Sequence, residues 1–169
     1  EGILKRLRST PLPAPTYLVA VLTTTMLAFL IQAVCIVVVG MAAFGASFPS
    51  HLVSFGLALI LGAASFAALG VGLTGLIRQA EGASAVVNAI YFPMLFISGA
   101  FFERDTFPAF LQAVAAVLPL TYFIDLVFGV VYEGDQIWDR VGDVAVLAAW
   151  GLAGAFFAAR RFRWAPSEG

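Results

Sequence analysis

Residues 17–44 form a run of 28 residues without a charged side chain. As an α-helix, with a rise of 1.5 Å per residue, this run is about 42 Å long. The hydrocarbon core of a bilayer is about 30 Å thick, so a helix of this length crosses it and either tilts or extends beyond the lipid. The run predicts a membrane-spanning helix, and with it an integral membrane protein.

The composition agrees with this prediction. Of the 169 residues, 62% are hydrophobic and 11% are charged, whereas a soluble domain has roughly 45–50% apolar and about 25% charged residues. Cys35 is the one cysteine and lies in an apolar run, so no disulfide framework or cysteine metal site is available. The chain begins at Glu1 with no initiator methionine and no signal-peptide pattern. We expect that an N-terminal part precedes it.

Three further apolar stretches have about the length that a span needs. They are residues 52–77, 83–102 and 142–162, the last with its apolar centre at 144–159. Pro93 interrupts the second of these three, and we expect a kink there. Together with residues 17–44, they predict four transmembrane helices in one all-α membrane domain that covers residues 1–169.

Residues 107–132 either cross the membrane or enter and leave it on one side. If they do not cross, one side holds seven of the nine basic residues: Lys5, Arg6, Arg8, Arg78, Arg160, Arg161 and Arg163. Short loops rich in Lys and Arg face the cytoplasm. The region also contains Pro119 and Asp125, and an aspartate in the middle of a span costs about 2.5–3.5 kcal/mol. We therefore predict two short re-entrant helices on the outer side, 108–117 and 121–132, and both termini in the cytoplasm.

The sequence "GVGLTG" places Gly70, Gly72 and Gly75 in a G-x-G-x-x-G pattern. A dinucleotide site needs this pattern between a strand and a helix, but here it lies inside an apolar helix. Small residues in that position favour close packing of membrane helices, which is our prediction. No G-x-x-x-x-G-K-[ST] motif occurs, so the chain lacks that route to ATP hydrolysis.

Two amides in the apolar runs, Gln32 and Asn88, need polar partners in lipid. They either bond across a helix interface or line a polar pathway, and the sequence leaves both alternatives open. His51 has no accompanying ligand, and we interpret it as solvated. Four carboxylates near the last span are interpreted as a solvated acidic loop rather than a cation site: Glu133, Asp135, Asp139 and Asp143.

The N-terminal segment carries Leu4 and Leu7 on one side of a short helix, beside Lys5, Arg6 and Arg8. Basic residues next to a membrane serve orientation or bind anionic lipid. The alternative is a surface helix that docks on a soluble partner.

Three motifs occur in order along the chain: "GILKRLRSTP", "YFPMLFISGAFF" and "FPAFLQAVAAVLPLTYFIDLVFGV". In this combination the chain resembles the ABC-2 type permeases, the membrane subunits of one class of ATP-binding-cassette exporter. The resemblance implies six spans, a cytoplasmic coupling segment between the second and third, and re-entrant helices between the fifth and sixth. This chain would then begin after the second span. Its "FFERDTFP" departs from the family's usual "FFP" by its charges.

The resemblance assigns residues 1–16 to the coupling segment, with Leu4, Lys5, Arg6, Leu7, Arg8, Thr10 and Pro11 as residues that contact the ATPase. It assigns Pro119, Thr121 and Tyr122 to the re-entrant helices, and Asp125 lies in the second of these predicted helices. The expected substrate path or gate combines the intramembrane amides with neighbours of the family's "P…SG" signature: Gln32, Asn88, Tyr91, Pro93 and Ser98.

The resemblance implies a transport subunit and not an enzyme, in the inner (plasma) membrane, with no cofactor, metal or catalytic residue of its own. ATP and Mg²⁺ would bind a partner ATPase subunit. The other expected partners are a second permease copy or homologue and membrane lipids, with no nucleic acid. The aromatic residues near the expected path favour a hydrophobic or amphipathic cargo. The alternative is a non-transporting membrane scaffold or regulatory subunit.

Overall fold

The computed structural model describes residues 14–45, 48–74 and 80–161. Secondary structure in these ranges is entirely helical, which confirms the all-α prediction. The helices are α1 (Ala14–Phe44), α2 (Leu52–Thr74), α3 (Ala80–Ile97), α4 (Ala109–Ala115), α5 (Pro119–Phe128) and α6 (Val141–Arg161). A 3₁₀ turn at Arg104–Thr106 precedes α4, and a π-helical turn at Gly129–Glu133 continues α5.

Three of these helices are long and apolar enough to cross a membrane, over Val19–Phe44, Leu52–Leu73 and Val141–Arg160. The chain is therefore a multi-pass membrane protein. α4 and α5 with its π turn are joined at a break and bent by 81°, and they would make a fourth span if counted as one. The apolar part of α3, Ser84–Ile97, is shorter than a typical span. The count of four spans stays a prediction.

The end of α3 differs from the predicted boundary at residue 102. The helix ends at Ile97, and the Ser98 N–H still donates to the Met94 carbonyl at 3.0 Å. Gly99 then takes a φ of +94°, a conformation that L side chains rarely adopt. A glycine just past the last turn ends helices in this way, so α3 ends five residues before Phe102.

α2 and α6 pack with their backbones in contact. A Cβ added at Gly154 would lie 2.6 Å from the Leu69 nitrogen, and one added at Gly151 would lie 2.7 Å from the Ser65 Oγ. Residues further along α2 thus meet residues further along α6, and the two helices run in the same direction. Any side chain at these glycines would force the helices apart.

The glycines of "GVGLTG" have separate environments. A Cβ at Gly72 would lie 2.8 Å from the Gly154 carbonyl oxygen, whereas one at Gly70 would meet nothing within 4 Å. Gly75 lies outside the described residues. The prediction of close helix packing is confirmed for Gly72.

α5 completes the core of the bundle and runs opposite to α2. Leu126 is fully buried against Ala58 of α2 and Leu147 of α6. Nearer the start of α5, Phe123 packs edge-on against Phe66, with ring centroids 5.8 Å apart. The end of α5 therefore lies where α2 and α6 begin. We call that end of the bundle the acidic end, because residues 133–140, which join α5 to α6 there, include three carboxylates.

The two remaining long helices lie on the outside. No residue in the most apolar part of α1 is buried, and α1 packs on α2 and on Phe123, whose ring is 6.2 Å from that of Phe29. α3 makes its main contacts with α4. Most of the surface of both helices is thus left for lipid or for other protein.

We predict that Gly72→Val destabilises the protein by about 1–3 kcal/mol, because the added side chain meets the α6 backbone. Gly70→Val places the same side chain on the same helix in open space and serves as the matched control. Thermal unfolding in detergent measures both. An equal loss in the two variants would contradict the α2–α6 contact.

Candidate functional site

The break between α4 and α5, residues 116–118, forms the apex of this helix pair. Its freed carbonyls are bonded by side chains: the Tyr122 hydroxyl donates to the Ala116 carbonyl at 2.6 Å, and the Trp150 indole N–H donates to the Val117 carbonyl at 3.0 Å. The backbone N–H groups of residues 116–118 donate to carbonyls within α4 at 3.0–3.1 Å. An unsatisfied backbone group in hydrocarbon costs several kcal/mol. This break is therefore compatible with the interior of a membrane.

Trp150 fixes the depth of the apex. It lies nine residues after Val141, or about 14 Å along α6 from its first residue. Half of a hydrocarbon core is about 15 Å. The apex thus lies level with the middle of α6.

An ion pair joins the turn after α3 to α5. The Arg104 guanidinium donates to the Asp125 carboxylate at 2.5 Å, with the two side chains 37% and 24% exposed. The stem of Arg104 lies against Gly99, where a Cβ would be 3.2 Å from its Cγ. The cost that the sequence analysis assigned to Asp125 inside a membrane did not include this compensating cation. The charges of "FFERDTFP" were noticed in the sequence, but no pattern linked two residues 21 positions apart.

A second cation, Arg140, contacts three carboxylates at the acidic end. It donates to Glu133 and, at 2.7 Å, to Asp135, and Asp143 lies 3.7 Å away. The hydrogen bond to Asp135, together with the charges of the three carboxylates, raises the pKa of Arg140 despite its partial burial. The acidic loop thus carries an organising cation, Arg140, that the interpretation as a solvated loop did not include.

Arg140 also explains the glycine at the start of the π turn. A Cβ at Gly129 would lie 2.6 Å from the Arg140 Nη2. The Gly129 carbonyl accepts the Asp135 N–H at 3.0 Å, which closes the loop beneath the guanidinium. The π turn and the loop before α6 are therefore held as one unit.

A cleft of about 430 Å³ lies between α1, α2 and α5 with its π turn. Its lining is apolar except for the Gln32 amide and the Tyr132 hydroxyl. The Gln32 side chain is exposed and makes no hydrogen bond to any residue that the structure describes. Of the five expected path residues, only Gln32 lines this cleft.

The other expected path residues lie on or just after α3. Asn88, Tyr91 and Pro93 are exposed, and Asn88 makes no hydrogen bond within the described ranges. Ser98 is fully buried and donates to the Leu95 carbonyl at 3.0 Å. The structure thus separates Gln32 from Asn88, and both amides are left available to partners outside the described residues.

The expected re-entrant residues lie at the apex and along α5. Pro119 takes the first turn of α5, and Tyr122 and Asp125 make the contacts described above. Thr121 is buried, and its hydroxyl has no hydrogen-bond partner among the described residues. The expected coupling residues, from Leu4 to Pro11, lie outside the described residues.

A family model described as "ABC-2 family transporter protein" matches residues 1–160. Over 63 residues the chain is 40% identical to Nodulation protein J of Rhizobium leguminosarum bv. viciae, a match that covers 37% of this chain and 24% of that protein. The chain thus matches about a quarter of the length of this relative. No solved structure matches the chain.

We predict that Trp150→Phe destabilises the protein by about 1–3 kcal/mol, because the Val117 carbonyl loses its donor in a non-aqueous environment. Trp138→Phe is the control, since Trp138 is 55% exposed and makes no hydrogen bond in the described part of the chain. The midpoint of thermal unfolding in lipid nanodiscs compares the two variants. A Trp150 variant as stable as the control would show that the bond is dispensable.

Proposed function

Because the chain belongs to the ABC-2 family of transporter proteins, we propose that it is the permease subunit of an ATP-binding-cassette exporter. It contributes to the path of a hydrophobic or amphipathic cargo across the inner membrane, and a second permease copy or homologue supplies the other half. The match over residues 1–160 carries this proposal. The described helices support the membrane part of this proposal, since three of them are apolar and long enough to cross a membrane.

The energy source in this proposal is a separate ATP-binding subunit, which holds ATP and Mg²⁺. The coupling segment, residues 1–16, contacts that subunit through Leu7 and its basic neighbours. ATP binding shifts the permease between two accessible states only if the contacts of the subunit differ between those states. Docking on an apolar, basic segment would provide such a difference.

The proposed path includes Gln32 and Asn88, with Tyr91, Pro93 and Ser98 near its gate. The amides of Gln32 and Asn88, which make no hydrogen bond to the residues that the structure describes, support this role, because an amide in lipid is stabilised by a polar partner. Gln32 adds a second argument, since it lies in the wall of an apolar cleft. A moving cargo with polar groups would satisfy both amides in turn.

We also propose that α4 and α5 form a re-entrant hairpin rather than a span. Asp125 lies about 10 Å along α5 from the apex, toward the acidic end, and pairs there with Arg104, which precedes α4. Glu133, at the other end of the pair, bonds Arg140 beside the start of α6. Both ends of the pair thus lie toward one end of the bundle, while the apex lies level with the middle of α6.

The hairpin predicts the pattern of labelling by a membrane-impermeant maleimide in intact cells. In a Cys35→Ser background, Asp105→Cys and Trp138→Cys are expected to react from the same side. Arg160→Cys, at the far end of α6, serves as the marker for the opposite side. If Asp105→Cys reacts together with Arg160→Cys instead, α4 and α5 cross the membrane and the hairpin is excluded.

We predict that Leu7→Asp in the protein from the complete gene lowers co-purification of the ATP-binding subunit at least about tenfold. A charge in an apolar docking contact costs more than about 1.4 kcal/mol, which corresponds to that factor. Leu7→Met keeps the apolar contact and is the control. Stoichiometry in mild detergent and ATP hydrolysis of the purified complex are the measurements.

Two results would overturn parts of this proposal: the first contradicts the exporter assignment and the second the role of the coupling segment. One is a wild-type protein that purifies from its native membrane without an ATPase, with no ATPase activity restored when membrane fractions are added back. The other is a Leu7→Asp variant that assembles and hydrolyses ATP as the wild type does, which removes the role of the coupling segment.

A further inference from the structure

The cleft beside α1 has the shape of a groove. On α1 its lining residues recur at helical spacing from Phe29 to Met41, a distance of about 18 Å along the helix. The opposite wall is formed by Phe55 and Leu59 of α2 and by Phe123 of α5. A volume of about 430 Å³ spread over this length is long and narrow.

The groove lies within the part of α1 and α2 that is long and apolar enough to cross the membrane. Val34 and Val38 lie on α1 next to the groove without lining it, and they are 60% and 57% exposed. Empty space along an apolar wall forfeits dispersion contacts, and water gains few hydrogen bonds there. A hydrocarbon chain matches both the shape and the chemistry of the groove.

One end of the groove lies at the acidic end of the bundle. It is lined by Pro49, from the loop between α1 and α2, and by Tyr132, from the π turn. Tyr132 and Trp138 are 71% and 55% exposed, and aromatic side chains of this kind are enriched at the membrane–water interface. A hydrocarbon chain in the groove would therefore have its polar end at the acidic end of the bundle.

The negative charge at the acidic end favours one kind of lipid head group. Residues 133–143 carry four carboxylates and one guanidinium, which gives a net charge of −3. Arg140 is already engaged by three of the carboxylates, while the Glu133 side chain is still 51% exposed. An ammonium group is attracted here, whereas a purely anionic head group is repelled.

We propose that this groove is a binding site for one acyl chain of a phospholipid with an amine head group. The head group lies beside Tyr132 and Glu133, and the methyl end of the chain reaches Phe29 and Gln32. The inner end of this site shares Gln32 with the proposed path, but the lipid proposal requires neither the coupling segment nor a cargo.

The test uses the complete protein with any co-purified subunits, in nanodiscs that contain equal amounts of phosphatidylethanolamine and phosphatidylglycerol. Each lipid is supplied in turn as an analogue with a photoactivatable diazirine at the end of one acyl chain. We expect the phosphatidylethanolamine analogue to label peptides containing Phe29 and Gln32 roughly fivefold more than the phosphatidylglycerol analogue, the ratio for about one favourable surface charge.

Two adjacent valines provide a matched pair of variants. Val37 lines the groove and Val38 faces away from it. Val37→Phe fills the groove and is expected to reduce labelling at Phe29 several-fold, whereas Val38→Phe leaves it unchanged. Gln32→Leu is expected to retain labelling, because an acyl chain needs no bond to the amide.

Four outcomes would overturn the site. Labelling spread evenly over Val34, Val38 and the groove indicates ordinary bulk lipid. A preference for phosphatidylglycerol contradicts the charge argument. Loss of labelling in Gln32→Leu indicates a ligand that bonds the amide, such as a cargo. Absence of labelling in the complete complex indicates that another protein segment or a second copy covers the groove.

Discussion

The hydrogen bonds that satisfy the backbone at residues 116–118 are the contacts on which the arrangement of the other helices depends. Lipid offers no donors, so a break in a helix at membrane depth persists only where protein supplies them. Tyr122 supplies one from within α5, and Trp150 supplies the other from α6. This second bond requires α6 to lie beside the apex, and α6 in turn brings α2 with it through their glycine contacts.

Charge organises the acidic end in a similar way. Ten acidic and nine basic residues nearly balance over the whole chain, but the acidic ones concentrate near the π turn and the start of α6. Arg104 and Arg140 lie among them and tie separate segments together: the turn after α3 to α5, and the π turn to the loop before α6. Each cation thus fixes a chain connection as well as balancing charge.

The sequence was sufficient for features that depend on local composition. Apolar length predicted α1, α2 and α6, and proline and charge predicted two short helices near residues 108–132. The end of α3 was also within reach, because Gly99 directly follows Ser98 at the last turn, but the apolar residues beyond it suggested a longer helix. Each of these features depends on residues a few positions apart.

Contacts between distant residues were beyond prediction from one sequence. The Trp150–Val117 bond joins residues 33 positions apart, and the Arg104–Asp125 pair joins residues 21 positions apart. Either contact depends on which helices are neighbours, and hydrophobic periodicity does not specify neighbours among helices that are apolar on every side. Gln32 was singled out from its polarity alone, yet the groove that it lines requires α1, α2 and α5 to be in place.

The parallel pair of α2 and α6 has a mechanical consequence. Where Gly72, Gly151 and Gly154 bring backbone against backbone, no layer of flexible side chains separates the two helices. Close-packed surfaces of this kind do not deform continuously, so neither helix slides along the other without a collision of main-chain atoms. We therefore infer that the two helices move as one rigid body, and that motion within this chain occurs between this pair and the other helices.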